Sequence, residues 1–147
     1  MSAEPVSLLA DLAAIVGSSN VLQGTGLEAY ERDWRKRWHG RALAVVRPGS
    51  TAEAAAIVRR CGRARREGSA VSLVPQGGNT GLVGGGVPDA SGQQIVVNLA
   101  RMHAVRHVDA ANLTLTAEAG CTLQAVQAAA DEAGLLFPLS LASEGTC

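Results

Sequence analysis

Residues 74 to 86 read Val-Pro-Gln-Gly-Gly-Asn-Thr-Gly-Leu-Val-Gly-Gly-Gly, six glycines in thirteen positions. Glycine weakens the interior of a helix or strand, so this run is a loop and the rest of the chain must be arranged around it. It follows the short β-branched stretch Ala70 to Val74, which sets the loop at the carboxyl end of a strand. Consecutive glycines can turn successive N–H groups toward one point, a nest that binds an anion. The loop contains neither Lys nor Arg. A phosphate held there would be held mainly by backbone amides, helped by Gln76, Asn79 and Thr80.

Two familiar phosphate motifs are excluded by inspection. A P-loop needs Lys followed by Ser or Thr after its second glycine, and the one lysine is Lys36, far upstream. The dinucleotide pattern G-x-G-x-x-G is not supplied by Gly77, Gly78, Gly81, Gly84, Gly85 and Gly86. A plain glycine-rich surface turn is the competing reading.

The flanking sequence has α/β grammar. Residues 5 to 16 read as a helix with Leu8, Leu12 and Ile15 on one face and Gly17 as its stop. Residues 18 to 41 are irregular or weakly helical and carry Trp34 and Trp38. Ala42 to Val46 reads as a strand. Ser50 with Glu53 forms a capping box, and Ala54, Ile57, Val58 and Cys61 then give one apolar stripe, with the arginines on the wet face and Gly68 as the stop. Strand, helix, strand is the crossover expected of a parallel pair. Gln94 to Leu99, Ala104 to Val108 and Leu113 to Ala117 read as further strands, the last two joined by a turn at residues 109–112. Thr122 caps a final helix reaching Ala133, with Leu123, Val126 and Ala130 inward and Gly134 as the stop. The stretch from Gly84 to Gly92 is expected to be the mobile loop.

Composition narrows the class. A chain of 147 residues with 47% hydrophobic residues and 18% charged ones can bury a core. With four aromatics, that core is built from Ala, Val, Leu and Ile. Formal charge is zero, yet residues 32 to 66 hold eleven of the thirteen Arg and Lys against two acids, Asp33 and Glu53. No nucleic-acid module accompanies that bias, so no nucleic-acid partner is expected. Cys61, Cys121 and Cys147 have no C-x-x-C spacing, and His39, His103 and His107 stand at no ligand spacing with them. Neither a disulfide scaffold nor a metal site is expected. The N-terminus has no basic region before Leu8, and the apolar stretch that follows is too short to span a bilayer; a cytoplasmic location is expected.

The run from Pro75 to Gly85 resembles the flavin pyrophosphate loop of the vanillyl-alcohol-oxidase-like FAD proteins, whose cofactor unit is the PCMH-type domain. Within them the chain is most similar to the D-2-hydroxyglutarate and D-lactate dehydrogenases and the glycolate oxidase FAD subunit. Val87-Pro88, Asn98-Leu99-Ala100-Arg101-Met102, Glu118-Ala119-Gly120-Cys121 and the stretch from Phe137 to Cys147 continue the resemblance in order, and Asp33-Trp34 and Val45-Val46-Arg47-Pro48 precede it.

That resemblance implies an α+β (α/β) fold in two parts: a small strand-helix-strand subdomain and an incomplete second, mixed-sheet subdomain. It implies a helical lead-in over 1–41 and a PCMH-type FAD-binding domain over 42–147, cut short at Cys147 in mid-motif with the substrate domain lacking. By motif position, Pro75, Gln76, Gly77, Gly78, Asn79, Thr80 and Gly81 would wrap the pyrophosphate and Leu82 would lie near the flavin ring. Pro138, Ser143, Gly145 and Thr146 match a second contact strip, although Ser143 and Thr146 also read as ordinary turn hydroxyls. The implied cofactor is non-covalent FAD, since Asn79 and Thr80 occupy the region where some relatives carry a linking histidine. The implied parent reaction oxidises a D-2-hydroxy acid to the 2-oxo acid, with a separate electron acceptor. Other readings are a non-catalytic remnant and an alditol or sugar-lactone oxidase. No catalytic residue falls within the chain on this reading.

Overall fold

A computed structural model describes residues 5–143, 145 and 146. Glu144 and Cys147, part of the terminal motif, lie outside the described residues, as do residues 1–4. The chain opens with helix α1 (Pro5–Val16), a 3-10 turn (Ser18–Asn20) and the short strand β1 (Val21–Leu22), then a single helical turn, α2 (Glu28–Glu31). Next come β2 (Ala42–Val46), α3 (Thr51–Arg66), β3 (Ser72–Gln76) and β4 (Gln94–Asn98). A hairpin of β5 (Val105–Asp109) and β6 (Thr114–Ala117) and helix α4 (Leu123–Glu132) complete it.

The first four strands form one mixed sheet in the order β1-β2-β4-β3, with β1 antiparallel to β2 and the other pairs parallel. The strand-helix-strand crossover is therefore real, but β2 and β3 are not neighbours: β4 inserts between them. Its sequence explains the choice. Ile95, Val96 and Val97 are all buried, and a strand covered on both faces belongs in the interior of a sheet. β3 takes the edge, where Pro75 removes no ladder bond that a central strand would need.

Side chains alternate between two cores. Ala44, Val46, Ile95 and Val97 face α1 and α3, where Leu8, Leu12, Val16, Ile57, Cys61 and Ala64 meet them. Val45 and Val96 face the other way, onto Leu27 with Leu22 and Tyr30 at the margin. Cys61 is buried and free, and burial pushes its thiol pKa up. Val58, expected on the apolar stripe of α3, is instead exposed, and the stripe runs through Ile57, Cys61 and Ala64. One step along a helix turns the side chain by about 100°, and Ile57 and Cys61 already claim the inward direction. The expected wet face is interrupted too: the Arg60 guanidinium reaches Asp11 of α1 at 2.6 Å.

Both expected helix caps form, one with a variation. Glu53 donates its N–H to Ser50 Oγ at 3.2 Å, but the returning carboxylate accepts from the Gly49 N–H at 2.7 Å, one residue earlier than in the standard box. At α4, the Ala125 N–H donates to Thr122 Oγ1 at 3.2 Å. The hairpin is tied to α3 through Arg106, which donates to Thr51 Oγ1 at 2.8 Å and to Glu118 at 2.7 Å. The segment expected to be mobile, 84–92, is hydrogen-bonded to the rest of the chain at Gly86 and Asp89. Arg41 N–H donates to the Asp89 carbonyl, Asp89 N–H to Gln94 Oε1 and Val87 N–H to the Gly84 carbonyl.

Candidate functional site

The glycine loop leaves β3 at the carboxyl end of a parallel sheet, the position where ligands of open α/β sheets collect. Two amides hold its base. Gln76 is buried, and its Nε2 donates to the Tyr30 carbonyl at 2.9 Å and the Gly86 carbonyl at 2.7 Å. Asn98, buried on the neighbouring strand, donates to the Gly77 carbonyl at 3.1 Å and to Gln76 Oε1 at 3.4 Å. The two ends of the loop are thus drawn together by one side chain.

Asn79 sits at φ 55°, in the left-handed region that asparagine tolerates better than most residues. Its Nδ2 donates to the Ala29 carbonyl at 3.0 Å and to the Arg32 carbonyl at 2.8 Å. The side-chain donors of Gln76 and Asn79 are therefore spent inside the protein, on shaping the loop. The backbone donors are not. Among the described residues, no acceptor meets the N–H groups of Gly78, Asn79, Thr80 or Gly81.

Three clefts meet at this loop. The first, about 520 Å³, lies between Gly77, Gly78 and the turn Ala119-Gly120-Cys121-Thr122, with Ala100 and His103 on its wall. The second, about 540 Å³, lies on the other side of Thr146 and is walled by Trp34, Arg35, Thr80, Leu82 and Ser143. A third, about 480 Å³, runs between Gly78, Asn79 and the Arg32–Lys36 segment. Gly77, Gly78, Asn79, Thr80, Leu82, Ser143, Gly145 and Thr146 are thereby brought together. Pro75 and Gln76 stand at the strand end behind them, and Gly81 is exposed beside them. Pro138 lies beyond α4, exposed, and lines none of the three clefts.

Sequence reasoning missed the far walls. Gly120 brings its turn against the strand end so closely that a Cβ there would sit 2.2 Å from the Leu99 carbonyl oxygen and 2.7 Å from that of Met102. That approach carries Cys121 and Thr122 to the first cleft. Trp34 and Arg35 reach the second because the loop carrying them is pinned. Asp33, buried, accepts the Trp38 N–H at 2.7 Å and the Arg35 N–H at 3.2 Å. Trp38 in turn lies over Gly84, whose φ of 77° and missing Cβ admit the indole. No local signal in a single sequence couples Asp33 to Gly84.

The Trp38 N–H, before any other group, holds the Asp33 carboxyl below its ordinary pKa of 3.8. The Arg106 guanidinium does the same for Glu118, below 4.5. Such groups bind a proton more readily in the unfolded chain. Their stabilisation is complete above the unfolded values and is lost as pH falls through the lower folded ones. Stability measured by urea midpoint is expected to drop on acidification below about pH 4. Asp33→Asn is expected to be less stable at neutral pH and to show a flatter acid limb; an acid limb identical to that of the unaltered chain would contradict this role.

Among the described residues, no helix is long and apolar enough to cross a membrane. Comparison with known proteins agrees with the geometry. The model of the FAD binding domain family matches residues 42–147. A D-2-hydroxyglutarate dehydrogenase of Xanthomonas citri pv. viticola is 42% identical over 121 residues, covering 82% of this chain and 24% of that protein. A mitochondrial D-2-hydroxyglutarate dehydrogenase of Arabidopsis thaliana is 34% identical over 134 residues, 90% of this chain and 23% of that one. The chain thus spans about a quarter of the length of these curated relatives. In structure, an alkyldihydroxyacetonephosphate synthase superposes with a TM-score of 0.79 at 16% identity, over 96% of this chain and 27% of the other. A 4-ethylphenol oxidase from Gulosibacter chungangensis gives 0.73 at 22% identity, over 91% and 26%. These likenesses establish the PCMH-type fold.

Proposed function

The chain belongs to the FAD binding domain family, and from that membership we propose that it is the cofactor-binding portion of a flavin-dependent oxidoreductase that converts a D-2-hydroxy acid, of 2-hydroxyglutarate or lactate type, to the 2-oxo acid. FAD is its cofactor. The residues present suit it. A pyrophosphate needs convergent donors and a backbone without side chains in the way. The loop offers the unspent N–H groups of Gly78, Asn79, Thr80 and Gly81, and a Cβ at Gly81 would meet nothing within 4 Å. That set of free backbone donors, at a loop whose side-chain amides are already spent on holding its shape, is the observation that carries the reading.

In this proposal Pro75 and Gln76 set the exit of the strand, and Gly77 to Gly81 face the pyrophosphate. Thr80 adds a hydroxyl. Leu82 lies toward the flavin ring, Ser143, Gly145 and Thr146 form a second contact strip for the cofactor beside Thr80, and Pro138 shapes the segment that delivers them. FAD would supply the acceptor for a hydride leaving the hydroxyl-bearing carbon; the protein contributes placement and exclusion of water. The cofactor is held without a covalent bond, the unit spans 42–147 behind a lead-in over 1–41, and the protein works in the cytoplasm with a separate electron acceptor. The similarity to D-2-hydroxyglutarate dehydrogenases supports the substrate class.

The test is the visible spectrum of the purified chain after excess FAD and desalting. Retained flavin bands are expected, and Gly78→Val, which puts a branched side chain at the donor cluster, is expected to lower retention at least about tenfold, the scale of one lost charge-assisted contact. Equal retention by the two proteins would sink the loop assignment. Assay of the loaded chain with D-2-hydroxyglutarate and D-lactate then separates the enzyme from the binding unit.

A further inference from the structure

A pyrophosphate diester brings two negative charges, and the glycine loop contains no cation to meet them. Backbone amides supply partial charge alone. The fold brings whole charges from a different stretch of chain. Arg35 walls the same cleft as Thr80 and Ser143, while Arg32 and Lys36 line the neighbouring cleft with Gly78 and Asn79. Glu28 and Asp33 also line that neighbouring cleft; neither reaches the one that holds Arg35.

The basic segment is a built feature. Asp33 accepts the Arg35 and Trp38 N–H groups, Lys36 takes a φ of 58°, and Asn79 donates to the Arg32 carbonyl, so the segment and the glycine loop are one hydrogen-bonded unit. The Arg35 backbone is committed to that unit. Its side chain is exposed, and among the described residues its guanidinium has neither an ion pair nor a hydrogen bond. We propose that Arg35 is the cation that pairs with the phosphoryl oxygens of bound FAD, reaching the loop from outside it. The planar guanidinium fork matches two phosphoryl oxygens at once, which a lysine ammonium does not. This inference rests on the FAD reading above and adds to it the charge that the loop lacks.

FAD and, separately, riboflavin are titrated into the full chain and into Arg35→Gln, Arg35→Lys and Arg37→Gln, at low and high salt, with flavin fluorescence as the readout. Arg35→Gln is expected to bind FAD roughly ten to a hundred times more weakly at low salt, the range of a hydrogen bond to a charged group. It is also expected to lose most of the salt dependence and to leave riboflavin binding unchanged, because riboflavin has no phosphate. Arg35→Lys should fall between the two. Arg37→Gln, whose side chain lines none of the three clefts, should match the unaltered chain. Equal FAD affinity in Arg35→Gln and the unaltered chain overturns the assignment of Arg35 and leaves the FAD site standing. An unaltered chain whose FAD affinity ignores salt overturns it too, even if the variants fail to fold. Absence of saturable FAD binding by the unaltered chain overturns the site and the inference together.

Discussion

Gln76→Leu is expected to lower both the stability of the chain and its retention of FAD, more than any other single change at the loop. Leucine fills nearly the same space but cannot donate. The Tyr30 and Gly86 carbonyls would lose their shared partner, and Asn98 would lose one acceptor. A fully buried polar group left without a partner costs about 1–3 kcal/mol, and because these two carbonyls are part-buried the pair is expected to cost roughly 2–4 kcal/mol, below twice the upper figure. That is a large share of the 5–15 kcal/mol typical of a domain. Because the Gln76 amide ties the Gly86 end of the loop to its origin, the backbone from Gly78 to Gly81 would no longer be held in its present shape. FAD retention should therefore fall further than the unfolding midpoint implies. Urea unfolding with and without FAD separates the two effects; a midpoint and a retention both equal to those of the unaltered chain would contradict the role given to this amide.

Gly40→Ala is expected to be equally damaging, and for a purely steric reason. A Cβ at Gly40 would sit 1.7 Å from the Pro88 carbonyl oxygen, 2.5 Å from its carbonyl carbon and 2.8 Å from the Asp89 carbonyl oxygen. All three are backbone atoms, and the Arg41 N–H holds the Asp89 carbonyl in place at 2.8 Å. No rotamer change relieves such a contact. Overpacking of this kind costs typically 1–3 kcal/mol and more where backbone must move; a loss of about 3 kcal/mol or greater is expected. Gly85→Ala is the control, since a Cβ there meets nothing within 4 Å and its effect should stay within about 0.5 kcal/mol. Thermal or urea unfolding of both variants decides it: similar midpoints for the two would mean that the residue 40 to 88 contact carries no weight.

The steps from sequence to site were not equally legible. Ala42 to Val46, the capped helix after Ser50 and the capped helix after Thr122 could be read directly, because a period and a cap are set by neighbours a few residues apart. Their placement could not. Putting β4 between β2 and β3 is decided by which strand buries both faces, a comparison between segments distant in sequence. Val58 illustrates the same limit on a smaller scale. It fits a stripe drawn from spacing, yet α1 and the sheet meet α3 along Ile57, Cys61 and Ala64.

The glycine loop shows the division most clearly. That residues 77–81 form a glycine-rich loop at a strand end follows from composition and order, since glycine's freedom is a local property. Sequence alone also indicated that no cation resides in the loop. Which side-chain donors stay free did not follow. Gln76 and Asn79 read as ligand donors, but their amides are taken by Tyr30, Gly86, Ala29 and Arg32 carbonyls supplied from elsewhere in the chain. The walls formed by Arg35, His103 and Gly120 exist because the buried carboxylate of Asp33 and the bare backbone of Gly120 hold two remote turns against the loop. Sequence determined what the loop can offer, since backbone freedom and the absence of charge are local. Tertiary structure decided what surrounds it, because those contacts join residues that share no pattern along the chain.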